Sequence, residues 1–184
     1  MKKYIFSLLV LFTLTAVRCK KSSSPQAEQL PPITTTGANT FGCLVNGNVW
    51  LPYNSSDGGV DAIVCYAYLT HNFSYPDIDI YTSNRKNGAL DDFEMRFRGI
   101  RDTGTYKLSN PFDSSLSFAY TADTLGFGPY PPLDSTVRVK ILRCDTIQKI
   151  ISGTFSFTGF NAQFNKTIYI TDGRFDLHYP LVIH

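Results

Sequence analysis

The sequence predicts an all-β domain built as an antiparallel β-sandwich, and three observations carry that prediction. Apolar and polar residues alternate with period two along much of the chain, which puts one strand face in a core and the other in water. No stretch of ten or more residues shows a helical stripe. Clusters of Gly, Pro, Asn, Asp and Ser break the pattern at short intervals, as hairpin and loop connections require.

The elements follow in order. Residues 40–45 and 48–51 flank Asn46-Gly47, a pair suited to the positive φ angles of a type I′ turn, so they predict a first hairpin. Alternation recurs over 62–70, 77–82, 92–100, 105–108, 116–120 and 137–142. Within 92–100, Phe93, Met95 and Phe97 share one face while Glu94, Arg96 and Arg98 share the other. Val137, Val139 and Ile141 repeat the scheme against Arg138 and Lys140, and Ile151, Gly153, Phe155 and Phe157 repeat it again. Near the end the phase changes: Ile168 and Ile170 are even-numbered, Phe175, Leu177 and Tyr179 odd. Either a two-residue hairpin turn at Asp172-Gly173, or a bulge there with Gly173 at positive φ inside one long strand, restores it. About eight to ten strands result, closed as a sandwich or, alternatively, as a small calycin-like β-barrel able to hold an apolar ligand. No repeat of fixed period is visible, which argues against a propeller or solenoid.

Ahead of the β pattern, Lys2 and Lys3 precede an apolar run over 4–14 that is too short to span a bilayer, so residues 1–18 read as a cleaved signal peptide. Cys19, which follows at once and precedes Lys20-Lys21-Ser22-Ser23-Ser24, resembles the lipobox cysteine of a bacterial lipoprotein, with Arg18 where a small residue is usual and Ala16 at the usual Leu position. The resemblance implies that Cys19 is acylated and becomes the mature N-terminus. Residues 19–38, with Pro25, Pro31, Pro32 and a run of three threonines, read as the lipidated cysteine and a flexible tether. Residues 39–184 form a single all-β domain with enough chain for its own core.

The formal charge of +2 belongs to the signal: without Lys2, Lys3 and Arg18, 14 basic residues face 15 acidic ones. That balance removes the electrostatic argument for nucleic acid. In an oxidising compartment two of Cys43, Cys65 and Cys144 can pair, and Cys43 with Cys65, in consecutive strand segments, is the expected disulfide, leaving Cys144 as a buried, unreactive thiol.

Candidate chemistry is sparse. Asp77 and Asp79 share a strand face and could act as paired acids, but cross-strand pairing with Arg96 or Arg98 is the commoner role for such residues. His71, His178 and His184 stand alone in sequence, so no metal is expected, and no cofactor. Asp57-Gly58-Gly59-Val60-Asp61 reads as a plain turn. No Gly-x-Ser-x-Gly elbow or phosphate-cradling glycine loop occurs. The surface feature singled out is aromatic: Phe73 and Tyr75 in the loop 71–76, and Phe127 and Tyr130 in the loop 122–134, could stack on a sugar or fill a partner's pockets. The competing reading is that the second loop folds down as a lid on the core.

Thr40-Phe41-Gly42-Cys43-Leu44-Val45-Asn46-Gly47 with Trp50, and Ile151-Ser152-Gly153-Thr154-Phe155-Ser156-Phe157 followed by Ile170-Thr171-Asp172-Gly173-Arg174-Phe175-Asp176, are similar to a family of uncharacterised exported lipoproteins of Gram-negative bacteria. The similarity implies export, lipidation and a β domain, and brings no activity or site residues. The expected function is that of a non-catalytic, lipid-anchored binding or assembly protein at the outer membrane, with an envelope protein or glycan as partner; carriage of an apolar ligand and glycan hydrolysis are the alternatives.

Overall fold

Two six-stranded sheets pack face to face in the computed structural model, which describes residues 28–54, 61–69, 77–88, 90–100, 102–107, 116–122 and 128–183. The strands are β1 Thr40–Val45, β2 Asn48–Trp50, β3 Ile63–Leu69, β4 Asp77–Asn84, β5 Asp91–Phe97, β6 Gly104–Tyr106, β7 Leu116–Thr121, β8 Pro129–Tyr130, β9 Arg138–Asp145, β10 Ile150–Asn161, β11 Lys166–His178 and β12 Leu181–Ile183. The first sheet has the order β2-β1-β11-β10-β9-β6 and the second β12-β3-β4-β5-β7-β8. All pairings are antiparallel except β12 with β3. The outermost strands are short: three residues in β2, β6 and β12, two in β8.

The expected sandwich is the observed fold, and the sheets do not close into a barrel. Between them, where a barrel would carry its cavity, lie the rings of Phe41, Trp50, Phe93, Tyr120, Phe155 and Phe157, with centroids 4.5–6.5 Å apart. Edge-to-face and tilted contacts of this kind add to the burial that holds the layers together. The large apolar residues of β5 and β7, Phe93, Met95, Phe97, Leu116, Phe118 and Tyr120, are all inward, as alternation requires.

Local geometry follows the sequence closely at the first hairpin. Asn46 and Gly47 have φ of 50° and 81°, and Val45 faces Asn48 across the turn, as a type I′ connection requires. The phase change at residues 172–173 is a bulge, not a hairpin: β11 runs unbroken through thirteen residues. On β10 the register advances from Phe155 to Phe157 while on β11 it moves from Gly173 to Ile170, so β11 carries one extra residue. The positive φ, 52°, belongs to Asp172 and not to Gly173.

The expected disulfide is absent. Cys43 and Cys65 are both buried free thiols, and they do not sit on paired strands as the expectation assumed: β1 lies in the first sheet and β3 in the second. Cys144 is half-buried, its Sγ 3.6 Å from the Ile100 carbonyl oxygen that accepts its hydrogen bond.

The part of the expected tether from Glu28 onward is a strap laid across the outside of the first sheet. Leu30 and Pro31 cover Gly42, where a side chain would collide with Leu51 and Pro31. Arg174 Nη1 donates to the Pro31 carbonyl (3.2 Å), and Arg143 Nη1 to that of Thr35 (2.7 Å). The strap then closes on the Asp176 carboxylate, which accepts bonds from the Thr34 hydroxyl (2.6 Å) and the backbone N–H groups of Thr36 (2.9 Å), Gly37 (2.8 Å) and Ala38 (3.2 Å). Glu28, at its start, pairs with Lys86.

Candidate functional site

Outward-facing side chains of β3, β4, β5 and β7 form a lattice, because these neighbouring strands are antiparallel and in register without a bulge. One row runs Tyr66, Asp79, Arg96, Ser117, and the next Val64, Tyr81, Glu94, Ala119. Tyr68 stands opposite Asp77 on the far side of the first row. Thus β3 supplies aromatic rings, β4 and β5 supply charge, and the small residues of β7 leave the surface beside them low.

Arg96 is the hub. Its Nε donates to Asp79 Oδ1 (3.1 Å), and its Nη2 to Glu94 Oε1 (3.0 Å) and the Tyr81 hydroxyl (3.4 Å). Arg98 Nη1 donates to Asp77 Oδ2 at 3.0 Å. Asp77 and Asp79 therefore pair across strands with Arg98 and Arg96, as their spacing suggested, and each carboxylate is engaged by a guanidinium. The rings of Tyr66 and Tyr68 lie 6.3 Å apart, with Tyr66 the more open at 37 % exposure. Partial burial, then the negative charge of Asp79, hold the Tyr68 hydroxyl above the ordinary tyrosine range, so it remains a protonated donor. Beside the lattice, Tyr81, Asp92, Glu94, Ala119 and Thr121 line a depression of about 310 Å³.

Rings that can stack on a sugar, next to a clamped guanidinium and carboxylates that can bridge neighbouring hydroxyls, make a surface suited to glycan recognition. The arrangement holds its polar groups still before anything binds.

The singled-out aromatics fare differently. Cys19, Phe73, Tyr75 and Phe127 lie outside the described residues, as do His71 and His184. Tyr130 is not an exposed anchor: it is fully buried, its ring 6.3 Å from that of Tyr120. The physical reason is close backbone approach. A Cβ on Gly159 would stand 3.0 Å from the Tyr130 carbonyl oxygen, so only glycine lets β8 descend onto β10. The Phe160 N–H to the Pro131 carbonyl (3.1 Å), the Leu133 N–H to that of Thr158 (2.8 Å) and Asn161 Nδ2 to that of Pro129 (2.9 Å) then stitch this segment of the loop across both sheets. The lid reading holds for Tyr130.

His178 binds Asn39 Oδ1 through its backbone N–H, and no three of His, Cys, Asp and Glu converge as metal ligands among the described residues. Tyr66, Tyr68 and Tyr81 were missed in the sequence, although alternation against Cys65, Ala67 and Ile80 already placed them on the wet face. No protein-family model, curated protein or solved structure matches this chain.

Proposed function

We propose that this protein is a lipid-anchored, non-catalytic binding protein of the Gram-negative cell envelope, held at the outer membrane through Cys19, and that it takes a glycan on the outer face of the second sheet. The carrying observation is the row Tyr66–Asp79–Arg96 with Tyr68, Tyr81 and Glu94 around it. Carriage of an apolar ligand in a barrel loses its basis, because the sheets do not close and aromatic rings fill the space between them. Hydrolysis is the weaker reading, because the paired aspartates are each spent on an arginine.

The test is binding of envelope polysaccharide fragments to the full chain in detergent micelles, followed by calorimetry. Tyr66→Ala should weaken binding by about 1–3 kcal/mol, in the range of a lost ring stack, with the melting temperature nearly unchanged. Arg96→Ala should weaken it further. Binding indifferent to both substitutions rules this face out.

A further inference from the structure

The outer face of the first sheet carries a second row, made by register across five strands: Thr105 of β6, Lys140 of β9, Thr154 of β10, Arg174 of β11 and Gly42 of β1. Arg138 and Ser156 pair one step along. Together with Ile33 of the strap, all of these residues except Gly42 line a cleft of about 320 Å³. Among the described residues the ion pairs engage Arg85, Lys86, Arg96, Arg98 and Arg143, and none engages Arg138, Lys140 or Arg174. Among the described residues, Arg138 Nη1 donates to the backbone carbonyls of Ser135 (2.7 Å) and Val137 (2.9 Å), and Arg174 to those of Asp172 (3.0 Å) and Pro31 (3.2 Å). Such bonds aim a guanidinium without cancelling its charge. Asp172 is the one acid among the lining residues, against three cations.

We propose that this face rests on the phosphates of anionic lipids in the membrane that holds the protein, an inference that builds on the lipid-anchor reading. Three observations converge on a lipid surface. The cations and the hydroxyls of Thr105, Thr154 and Ser156 match phosphate oxygens. Ile33, at the rim, is 55 % exposed and offers an apolar contact beside them. The strap that walls the cleft also leads back toward Cys19: Glu28 is nine residues on, so the linking chain reaches at most about 30 Å. Lys20 and Lys21 add charge at the lipid end of that link.

The chain from residue 19 on, carrying Cys19→Ala so that no acyl group contributes, is floated with vesicles of phosphatidylcholine alone or mixed with phosphatidylglycerol. The expected result is flotation only with phosphatidylglycerol, lost at high salt, and about fivefold weaker partitioning for each of Lys140→Gln and Arg138→Gln. The Lys140 side chain makes no hydrogen bond or ion pair among the described residues, so Lys140→Gln should leave the melting temperature unchanged. Equal binding to phosphatidylcholine, indifference to both substitutions, or preference for a soluble acidic polysaccharide over the vesicles overturns the proposal. Tyr66→Ala should float like the parent, so a failure here is separable from a failure of the glycan face.

Discussion

The ring of Phe155 lies across Gly173, its register partner on the neighbouring strand, and fills the place a side chain there would take. Two residues along, the relation is reversed: Phe175 lies across Gly153. The two rings, 6.4 Å apart, thus repair the gaps that each strand's glycine would leave in the core.

The two glycines should respond differently to substitution. The atoms nearest a Cβ at Gly173 all belong to the Phe155 ring, at 2.6–2.7 Å, whereas the nearest to one at Gly153 is the Lys140 carbonyl oxygen, at 2.6 Å, with the Phe175 ring beyond it. Gly173→Ala and Gly153→Ala should each destabilise by about 1–3 kcal/mol. Phe155→Leu should relieve part of the first, while no substitution of Phe175 should fully relieve the second, because backbone does not yield. A double-mutant cycle by denaturant unfolding measures the coupling.

Tyr130→Ala should destabilise the domain by about 3–5 kcal/mol, the usual cost of truncating a buried aromatic. Leu133→Ala, nearby but 46 % exposed, should change stability by no more than about 0.5 kcal/mol. Thermal melts compare them directly, and equal effects would show that β8 does not seal the core.

Much of this was legible in the residues. Alternation in 92–100 placed Phe93, Met95 and Phe97 inward, and Asn46-Gly47 specified its turn, because both depend on neighbours in sequence. At Asp172-Gly173 the sequence showed that the phase resets but not how, since hairpin and bulge restore the same parity and only the pairing of β11 with β10 and β1 decides between them. Cys43 and Cys65 misled for a related reason: nothing local records where the chain changes sheet. Tyr130 was ambiguous because an aromatic in a Gly/Pro-rich loop looks the same whether it faces water or core.

Thiol chemistry should follow burial. Desolvation pushes the Cys43 thiol up, and burial, reinforced by the charge of Asp79, pushes Cys65 up to about 12. Both should resist alkylation at neutral pH in the native protein and react fully in guanidinium, with Cys144, whose thiol is also raised by burial, slow but first. Rapid native labelling of Cys43 would falsify this account of the core.

Acid should release the strap. Burial pushes the Asp176 carboxyl up, but the Thr34 hydroxyl and the Gly37, Ala38 and Thr36 N–H groups pull it down further, so it titrates below the ordinary carboxylate range. Its contribution is therefore complete above the unfolded value of about 3.9 and is lost as pH falls through the lower folded one. The Gly37 amide signal, followed by NMR, should hold steady from neutrality to about pH 4 and move only below. Asp176→Asn should cost about 1–3 kcal/mol and abolish that titration. A midpoint above pH 4 would mean that the carboxylate does not hold the strap.

On the membrane anchoring proposed above, the shortness of the outermost strands would bear on life at a crowded surface. Molecules confined to a bilayer plane meet their own copies far more often than molecules in solution, and a long bare strand would let one sheet continue into the next. Strands of two or three residues at all four margins offer too few backbone groups to template such a fibre. Neighbouring copies can thus be packed densely without zipping together, and contacts with other molecules are left to the broad faces of the sandwich.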